Sequence, residues 1–265
     1  MWVDSHVNLH GEKFAEDLPE VIAKARHADV RTMLTICCKL SEFDQVLAVA
    51  QSHKDIYCSV GTHPHEAKDN PDIMAADLLA HIHHPEVIGI GETGLDFHYN
   101  YSDEDVQYAN FRAHISASRE SQLPLIIHSR NADAQMAQIL EEEHDKGVFP
   151  HLLHCYTGGA ELARRSAALG GYISLSGILT FNSAKDIRAL VPGLPEDRIL
   201  IETDCPYLAP MPYRGRRCEP HMVVETGKKL AEIKGWSLAE TQARTTDAFF
   251  RLFSKAQRPA KASHE

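Results

Sequence analysis

The sequence lacks the features that would assign it to several special classes of protein. None of its apolar runs approaches the roughly 20 residues that span a bilayer, and its first residues lack the basic stretch and apolar core of a signal peptide. Its six cysteines form no C-x-x-C pair, which argues against a zinc ribbon, and in a chain of 265 residues we expect them to be reduced. We therefore predict a cytoplasmic protein with no membrane partner.

An excess of positive charge is also lacking. The 27 lysines and arginines are outnumbered by 37 acidic residues, so the net charge is −10. This balance argues against a protein that holds nucleic acid through a broad basic surface. It still allows a local basic cluster over a bound cation, because the cation dominates the field there. For the assembly state we expect a monomer.

What the sequence does contain is an alternation of strand-like and helix-like segments. Eight short apolar runs are separated by segments of helical period, and no hairpin turn joins them, which predicts parallel pairing through right-handed crossovers. Eight such units in about 250 residues predict an α/β fold, a single-domain (β/α)8 TIM barrel with some distortion. The predicted strands are 2–7, 31–37, 56–61, 87–91, 124–127, 152–155, 171–176 and 198–201.

The barrel is predicted to occupy residues 1–254. The tail at 255–265 has no apolar residues other than alanine, so we expect it to be flexible. An open doubly wound sheet is the alternative fold. It is less favoured, because no G-x-G-x-x-G motif follows the first predicted strand.

Imidazoles and carboxylates follow the predicted strands. The fourth run ends at Glu92, and Gly94 predicts that a loop follows. In a barrel the carboxyl ends of all strands converge on one face, so these side chains would share one bowl. Such groups are ligands for divalent metals such as zinc or manganese, and a set too small to close the coordination shell is typical of catalytic sites. The candidate ligands are His6, Glu92, His128, His154 and Asp204.

Each candidate also has an ordinary structural interpretation when it is taken alone. Glu92 could form a structural salt bridge, and His128 could be a hydrogen-bonded core histidine. Asp204 could cap the turn made by Pro206. Five such residues at five strand ends make a shared metal site the better hypothesis.

The same stretches resemble the TatD family of metal-dependent deoxyribonucleases along nearly the whole chain. The resemblance implies a TIM barrel related to the amidohydrolases, with two adjacent divalent-metal sites that hold Mg, Mn or Zn. It also implies a hydrolase that trims DNA from the 3′ end by means of a metal-activated water, with single-stranded ends as substrate. The matching stretches are 3–6, 61–65, 90–96, 124–130, 153–158, 176–181 and 200–210.

The resemblance implies a division of the ligands between two sites. Glu92 would bridge both metals, His128 and His154 would complete one site, and His6 and Asp204 would belong to the other.

The first strand departs from the family pattern, which has a second histidine two residues after the first. Here that position is Asn8, a further candidate ligand with only a neutral oxygen, so we predict lower affinity at this site. His10 could replace it only if the strand continued that far, which Gly11 makes doubtful.

Further residues are assigned to catalysis. With Glu92, we place Asp204 and His63 in the catalytic set. Asp204 would accept a proton from the attacking water, although the sequence leaves a role as ligand alone open. His63 would hydrogen-bond the phosphate or the leaving oxygen.

Three arginines are predicted to contact the substrate, and two aromatic residues could do so. Arg130 follows the fifth strand, and Arg214 and Arg216 lie in a basic loop after the eighth, where they would contact phosphates unless the loop is simply solvated. Tyr156 and Phe97 could stack on bases or pack beneath a loop.

Two other functions fit the same residues. The bowl could hydrolyse amide, lactone or aminoacyl ester bonds, since an activated water serves any of them. The chain could also be a non-catalytic metal-binding scaffold, for which the substitution at Asn8 is the only support.

Overall fold

A single sheet of eight parallel strands forms the centre of the molecule. The computed structural model describes residues 1–259, and the strands pair in sequence order from the first to the eighth. This arrangement, with helices between the strands, confirms the predicted barrel. The strands are β1 (Trp2–Val7), β2 (Val30–Thr35), β3 (Ile56–Val60), β4 (Val87–Asp96), β5 (Leu125–Arg130), β6 (His151–Leu153), β7 (Tyr172–Leu175) and β8 (Ile199–Ile201).

The helices lie between successive strands, and two follow the last strand. They occupy the segments of helical period between the strands, because their apolar residues repeat at the period of a helix face. They are α1 (Leu18–His27), α2 (Phe43–Gln51), α3 (Ala75–Leu79), α4 (Glu104–Ser121), α5 (Asp133–His144), α6 (Ala160–Ala168), α7 (Lys185–Leu190), α8 (Val223–Lys234) and α9 (Leu238–Leu252). No helix among the described residues has both the length and the hydropathy that crossing a membrane requires.

The barrel closes through a short contact between β1 and the loop after β8. One isolated bridge joins Val7 to Cys205, and the Asp204 amide donates to the carbonyl of His6 at 3.0 Å. Below it the buried carboxylate of Asp4 accepts hydrogen bonds from the amide and hydroxyl of Thr203, at 2.9 and 2.7 Å. The seam that closes the sheet therefore also brings the backbones of His6 and Asp204 together.

Strand β4 is longer than predicted. We expected it to end at Glu92 with a loop at Gly94, but it continues to Asp96 and pairs with β5 as far as the partners Asp96 and Arg130. The loop prediction was wrong because the glycines here serve close packing. Gly94 has φ 142°, and a Cβ there would lie 2.0 Å from the carbonyl oxygen of His128.

The apolar core has two parts. The larger part lies between the sheet and the surrounding helices. The smaller part collects residues such as Ile88, Ile126 and Leu152 against Phe249 of α9 and Phe253, which follows the helix.

Helix α9 covers the end of the barrel at which the strands begin. Thr246 donates a hydrogen bond to the carbonyl of Met1, and Lys255 donates to that of Val87 at 2.8 Å. Lys255 belongs to the segment that we predicted to be flexible, so the start of that segment contacts the barrel. Residues 260–265 of the same segment lie outside the described residues.

Candidate metal centre

Glu92 lies at the centre of a cluster of imidazoles, at the barrel end opposite α9. It is 4% exposed. Its Oε1 lies 2.7 Å from His154 Nε2, 3.2 Å from His128 Nδ1 and 3.4 Å from His63 Nε2. Its Oε2 lies 3.2 Å from His6 Nε2. The two carboxylate oxygens therefore face different partners.

The ligand-type atoms of this cluster form two groups, each compact enough to surround one ion. One group is His6, Glu92 and His154, and the other is His63, Glu92 and His128. Glu92 belongs to both groups and is the residue that joins them. Imidazole nitrogens with carboxylate oxygens are a donor set for divalent transition metals.

Unsatisfied nitrogens give an independent test of whether this cluster fits a metal. Both ring nitrogens of His6 and the Nε2 of His154 are buried, and among the described residues none has a hydrogen-bond partner. Leaving one such group unsatisfied costs about 1–3 kcal/mol. A cation shared with Glu92 would satisfy the nitrogens that face the carboxylate, so the residues fit the metal that such a cluster implies.

Hydrogen bonds on the far side of each ring indicate which histidines can donate a lone pair. His154 Nδ1 lies 3.3 Å from Glu202, and His128 Nε2 lies 2.9 Å from Asp96. Each ring donates a proton to its carboxylate, so the opposite ring nitrogen, which faces Glu92, keeps a lone pair that can bind a cation. Carboxylates of this kind orient metal-binding histidines in many proteins.

His63 differs from these two histidines. Its Nδ1 accepts a hydrogen bond from the amide of His65 at 3.1 Å, so a neutral His63 ring carries its proton on Nε2. Burial lowers the pKa of this ring to about 4, which keeps it neutral. Its Nε2 is then a donor and not a ligand, and this supports the hydrogen-bonding role predicted for His63.

The charges of the cluster shift the pKa values of its members. Burial opposes ionisation of Glu92, but His154, His63 and His6 outweigh it and hold its pKa well below the ordinary value. Burial also disfavours a charged His154, yet Glu92 and Glu202 raise the pKa of this histidine. The surrounding histidines therefore favour the ionised carboxylate of Glu92, which is the form that binds a cation.

Asp204 lies at the edge of the cluster, with its Oδ1 3.7 Å from His6 Nε2. Burial raises its pKa to about 6, and nearby His6 and His154 oppose the shift. The loop after β8 holds it with φ 58°, in the left-handed region.

Asn8 is held by neighbours other than the central carboxylate. Its amide donates to the carbonyl of Cys205 at 3.1 Å, and its oxygen lies 3.7 Å from the thiol of Cys38. The thiol of Cys38 is also 3.5 Å from Glu92 Oε2. His10 lies beyond the end of β1 and pairs with Glu42 at 3.1 Å, so it does not join the cluster.

Sequence reasoning missed Asp96, Glu202 and Cys38. Asp96 and Glu202 lie inside the stretches that carry the family resemblance, next to residues that received a role. Their signal was a carboxylate close to a candidate ligand: Asp96 lies four residues after Glu92, and Glu202 lies two residues before Asp204. Cys38 had no such signal, because it lies after the end of β2 and only the fold brings its thiol to Asn8 and Glu92.

The arginines that are predicted to contact the substrate differ in how exposed they are. Arg130 is half-buried at the end of β5, with its guanidinium 4.7 Å from the ring centroid of Tyr99. Arg214 and Arg216 are exposed in the loop after β8, and the guanidinium of Arg214 lies 3.9 Å from the ring centroid of Phe181.

The two aromatic candidates differ from the arginines in exposure. Tyr156 is 4% exposed, and its hydroxyl donates to the carbonyl of Gly159 at 2.6 Å. Of the two roles left open for Tyr156, the structure therefore favours packing beneath a loop. Phe97 is partly buried against Tyr108.

Comparison with known proteins assigns the chain to a family. A family model described as TatD related DNase matches residues 3–254. The chain belongs to the TatD family. The chain is thus a metal-dependent hydrolase that acts on ester bonds, with a barrel whose carboxyl-terminal face carries candidate His and Glu ligands.

Several TatD-family relatives match over nearly their full length. The chain is 36% identical to the uncharacterized metal-dependent hydrolase YabD of Bacillus subtilis, with 96% of this chain and 99% of YabD covered. It is 35% identical to the 3′-5′ ssDNA/RNA exonuclease TatD of Cronobacter sakazakii, with 97% and 99% covered. Among solved structures, the TatD homologue YJJV of Escherichia coli K12 has a TM-score of 0.87, 24% identity and coverage of 96% and 98%, which shows the shared fold.

Proposed function

We propose that the chain is a deoxyribonuclease that removes nucleotides from the 3′ end of single-stranded DNA, with the catalytic domain at residues 1–254. The observation that carries the proposal is the carboxylate of Glu92 between two sets of imidazoles, at the rim where Arg130 emerges. The likeness to a relative named as a 3′-5′ ssDNA/RNA exonuclease supports the polarity.

In this proposal two divalent ions share Glu92. His128 and His154 would hold one ion together with Glu92, and His6 and Asp204 would hold the other, with Asn8 as a weak neighbour. When bound, such ions polarise a phosphate and lower the pKa of a water molecule. The hydrogen bonds from His128 to Asp96 and from His154 to Glu202 support both histidines as ligands, because each leaves one ring nitrogen free toward Glu92.

The side chains around the ions would move the proton and hold the phosphate. Asp204 would accept the proton of the attacking water, because its carboxylate lies at the edge of the cluster, with Oδ1 3.7 Å from His6 Nε2. His63 donates its Nε2 proton to a phosphate oxygen, since its Nδ1 is already an acceptor. Both roles depend on groups that the barrel rim fixes before the substrate binds.

Arg130 would neutralise the phosphate next to the scissile bond. Among residues 1–259 no carboxylate pairs with its guanidinium, whereas Arg217 pairs with Asp17 and Glu219. An unpaired guanidinium beside the cluster favours an anionic substrate, and phosphodiesters more than neutral amides or lactones. Arg214 and Arg216 would contact phosphates further along the strand.

The test is a time course on single-stranded oligonucleotides that carry a label at the 5′ or the 3′ end, after chelation and addition of Mg²⁺, Mn²⁺ or Zn²⁺. We expect the 5′-labelled strand to shorten one nucleotide at a time and the 3′-labelled strand to release its label first. Glu92→Gln should remove this activity, while the exposed Glu232→Gln should retain it. Absence of metal-dependent shortening in the wild-type chain would refute the proposal.

A further inference from the structure

Two exposed tyrosines on the loop after β4 form a parallel aromatic pair. Tyr99 is 45% exposed and Tyr101 is 55% exposed. Their ring centroids are 5.2 Å apart, and their planes differ by 7°. Rings that are this exposed leave apolar surface in contact with water, so the pair offers a flat aromatic surface to a ligand.

The aromatic pair is tied to the metal centre through Asp96. Asp96 accepts a hydrogen bond from the amide of Tyr99 at 3.1 Å, and the same carboxylate holds His128 at 2.9 Å. It also holds His65 at 2.9 Å, and the ring of His65 contacts both tyrosine rings edge-on, at 5.5 and 4.9 Å between centroids. One buried carboxylate therefore fixes the position of the rings relative to a candidate ligand.

Arg130 joins the aromatic pair to a phosphate position. Its guanidinium lies over the ring of Tyr99, and it also lines an open groove of about 410 Å³ with Ser129, Asn131 and Asp133. A cation placed between stacked rings and a groove can contact a phosphate while the rings hold the adjoining base.

We propose that Tyr99 and Tyr101 form a stacking platform for an unpaired base of a single-stranded nucleic acid, within a few nucleotides of the bond that is cleaved. The inference rests on the proposed function and identifies how the site recognises its substrate. A base in a duplex is stacked and paired, so it is not free to lie on a ring outside the helix. The platform therefore gives the site a preference for single strands without reading sequence, because each base has an aromatic face.

Charge favours a nucleic acid over the other possible occupant, which is a second copy of this chain. The net charge of −10 repels a nucleic acid strand and a second copy alike, so the charge beside the rings decides between them. Within residues 1–259 the guanidinium of Arg130, which lies over Tyr99, has no carboxylate partner, and a strand with one phosphate per nucleotide can neutralise it.

The test combines removal of the rings with removal of the base. The values of KM and kcat are measured for a 5′-labelled oligonucleotide and for versions with a single abasic site at each of the last three positions, with wild type and with Tyr99→Ala/Tyr101→Ala. We expect the double substitution to raise KM about tenfold on the intact strand, with little change in kcat. At one of the three positions, the abasic site should raise KM much less for the variant than for the wild type.

Two matched variants serve as controls. Tyr99→Phe/Tyr101→Phe keeps the rings and should retain the wild-type KM. Tyr207→Ala removes another ring that is 55% exposed, in the loop after β8. In this variant an abasic site should raise KM as much as it does in the wild type. Circular dichroism and thermal melting show whether each variant is folded.

The possible outcomes separate this inference from the proposed function. If the wild type shortens no oligonucleotide, the proposed function fails first. If the wild type is active but the effects of ring removal and base removal on KM are independent at all three positions, the platform is refuted and the proposed nuclease activity is not. A change of sedimentation in the alanine variant with an unchanged KM would assign the rings to contact between copies and would also refute it.

Discussion

The two ends of the barrel are built from the same strands but are held together in different ways. In β4, Ile88 packs against α9, whereas Glu92 lies four residues later among histidines. In β5, Ile126 belongs to the apolar end and His128 to the polar one. Stability comes from apolar burial at the first end, and at the second end buried charges must be matched by partners or by an ion.

This comparison indicates where substitutions separate folding from chemistry. Large apolar residues around α9 should set the free energy of unfolding, and the groups around Glu92 should set metal affinity and turnover. The predictions below test this separation, beginning with the largest expected effect.

Glu92→Gln should lower turnover at least about a thousandfold, because it removes the charge that two ions would share. The variant should fold, since the metal-free site loses a buried carboxylate and gains a neutral group of the same shape. Turnover is measured on the 5′-labelled strand, with Glu232→Gln as the control. Turnover within tenfold of the wild type would contradict a bridging role.

Phe249→Ala should lower the free energy of unfolding by about 3–5 kcal/mol, as expected for loss of a fully buried aromatic ring. Urea unfolding measures this effect on metal-free protein. Below the unfolding transition, turnover per folded molecule should stay near the wild-type value. A large loss of turnover in fully folded protein would mean that the two ends are coupled.

Stability of the metal-free protein should fall on acidification because of His114, a buried histidine outside the metal cluster. Burial lowers its pKa to about 4, and its Nε2 accepts a hydrogen bond from the amide of Thr62. The unfolded chain then binds more protons between the ordinary pKa of about 6.5 and 4, so stability is full above the upper value and falls below it, by about 1.4 kcal/mol per pH unit.

His114→Gln is the variant that isolates this effect. Its free energy of unfolding, followed by urea from pH 7 to 4.5, should depend on pH less steeply than that of the wild type. Equal slopes would remove His114 as the cause.

Asn8→His should have the smallest effect, a tightening of about tenfold at the weaker of two metal sites. The new imidazole would restore a ligand next to His6, where Asn8 offers a neutral amide that is engaged with Cys205. Mn²⁺ titration after chelation measures both sites. An unchanged weaker affinity would exclude position 8 from the coordination shell.

The sequence predicted much of this arrangement because simple periodicities determine it. Apolar runs separated by helical patterns define eight parallel strands, and parallel strands bring His6, Glu92, His128 and His154 to one rim. Strand ends were less predictable. The propensity of glycine predicts a turn at Gly94, but Gly94 packs closely against the backbone of His128 and belongs to a long strand.

Contacts between distant segments could not be read from the chain. The pairing of His128 with Asp96 joins two strands, and the tautomer of His63 depends on the backbone of His65. The stacking of Tyr99 on Tyr101 depends on the path of a loop that has no periodic pattern. Sequence therefore located the candidate ligands, and only tertiary structure identified what orients them.

The sharing of Glu92 is tested most directly by counting bound ions. The chelated chain is titrated with Mn²⁺ in a calorimeter, and the metal content of the washed protein is measured for the wild type and for Glu92→Gln. We predict two ions for each wild-type chain and loss of tight binding at both positions in the variant. A single ion that binds equally well to both proteins would contradict the account.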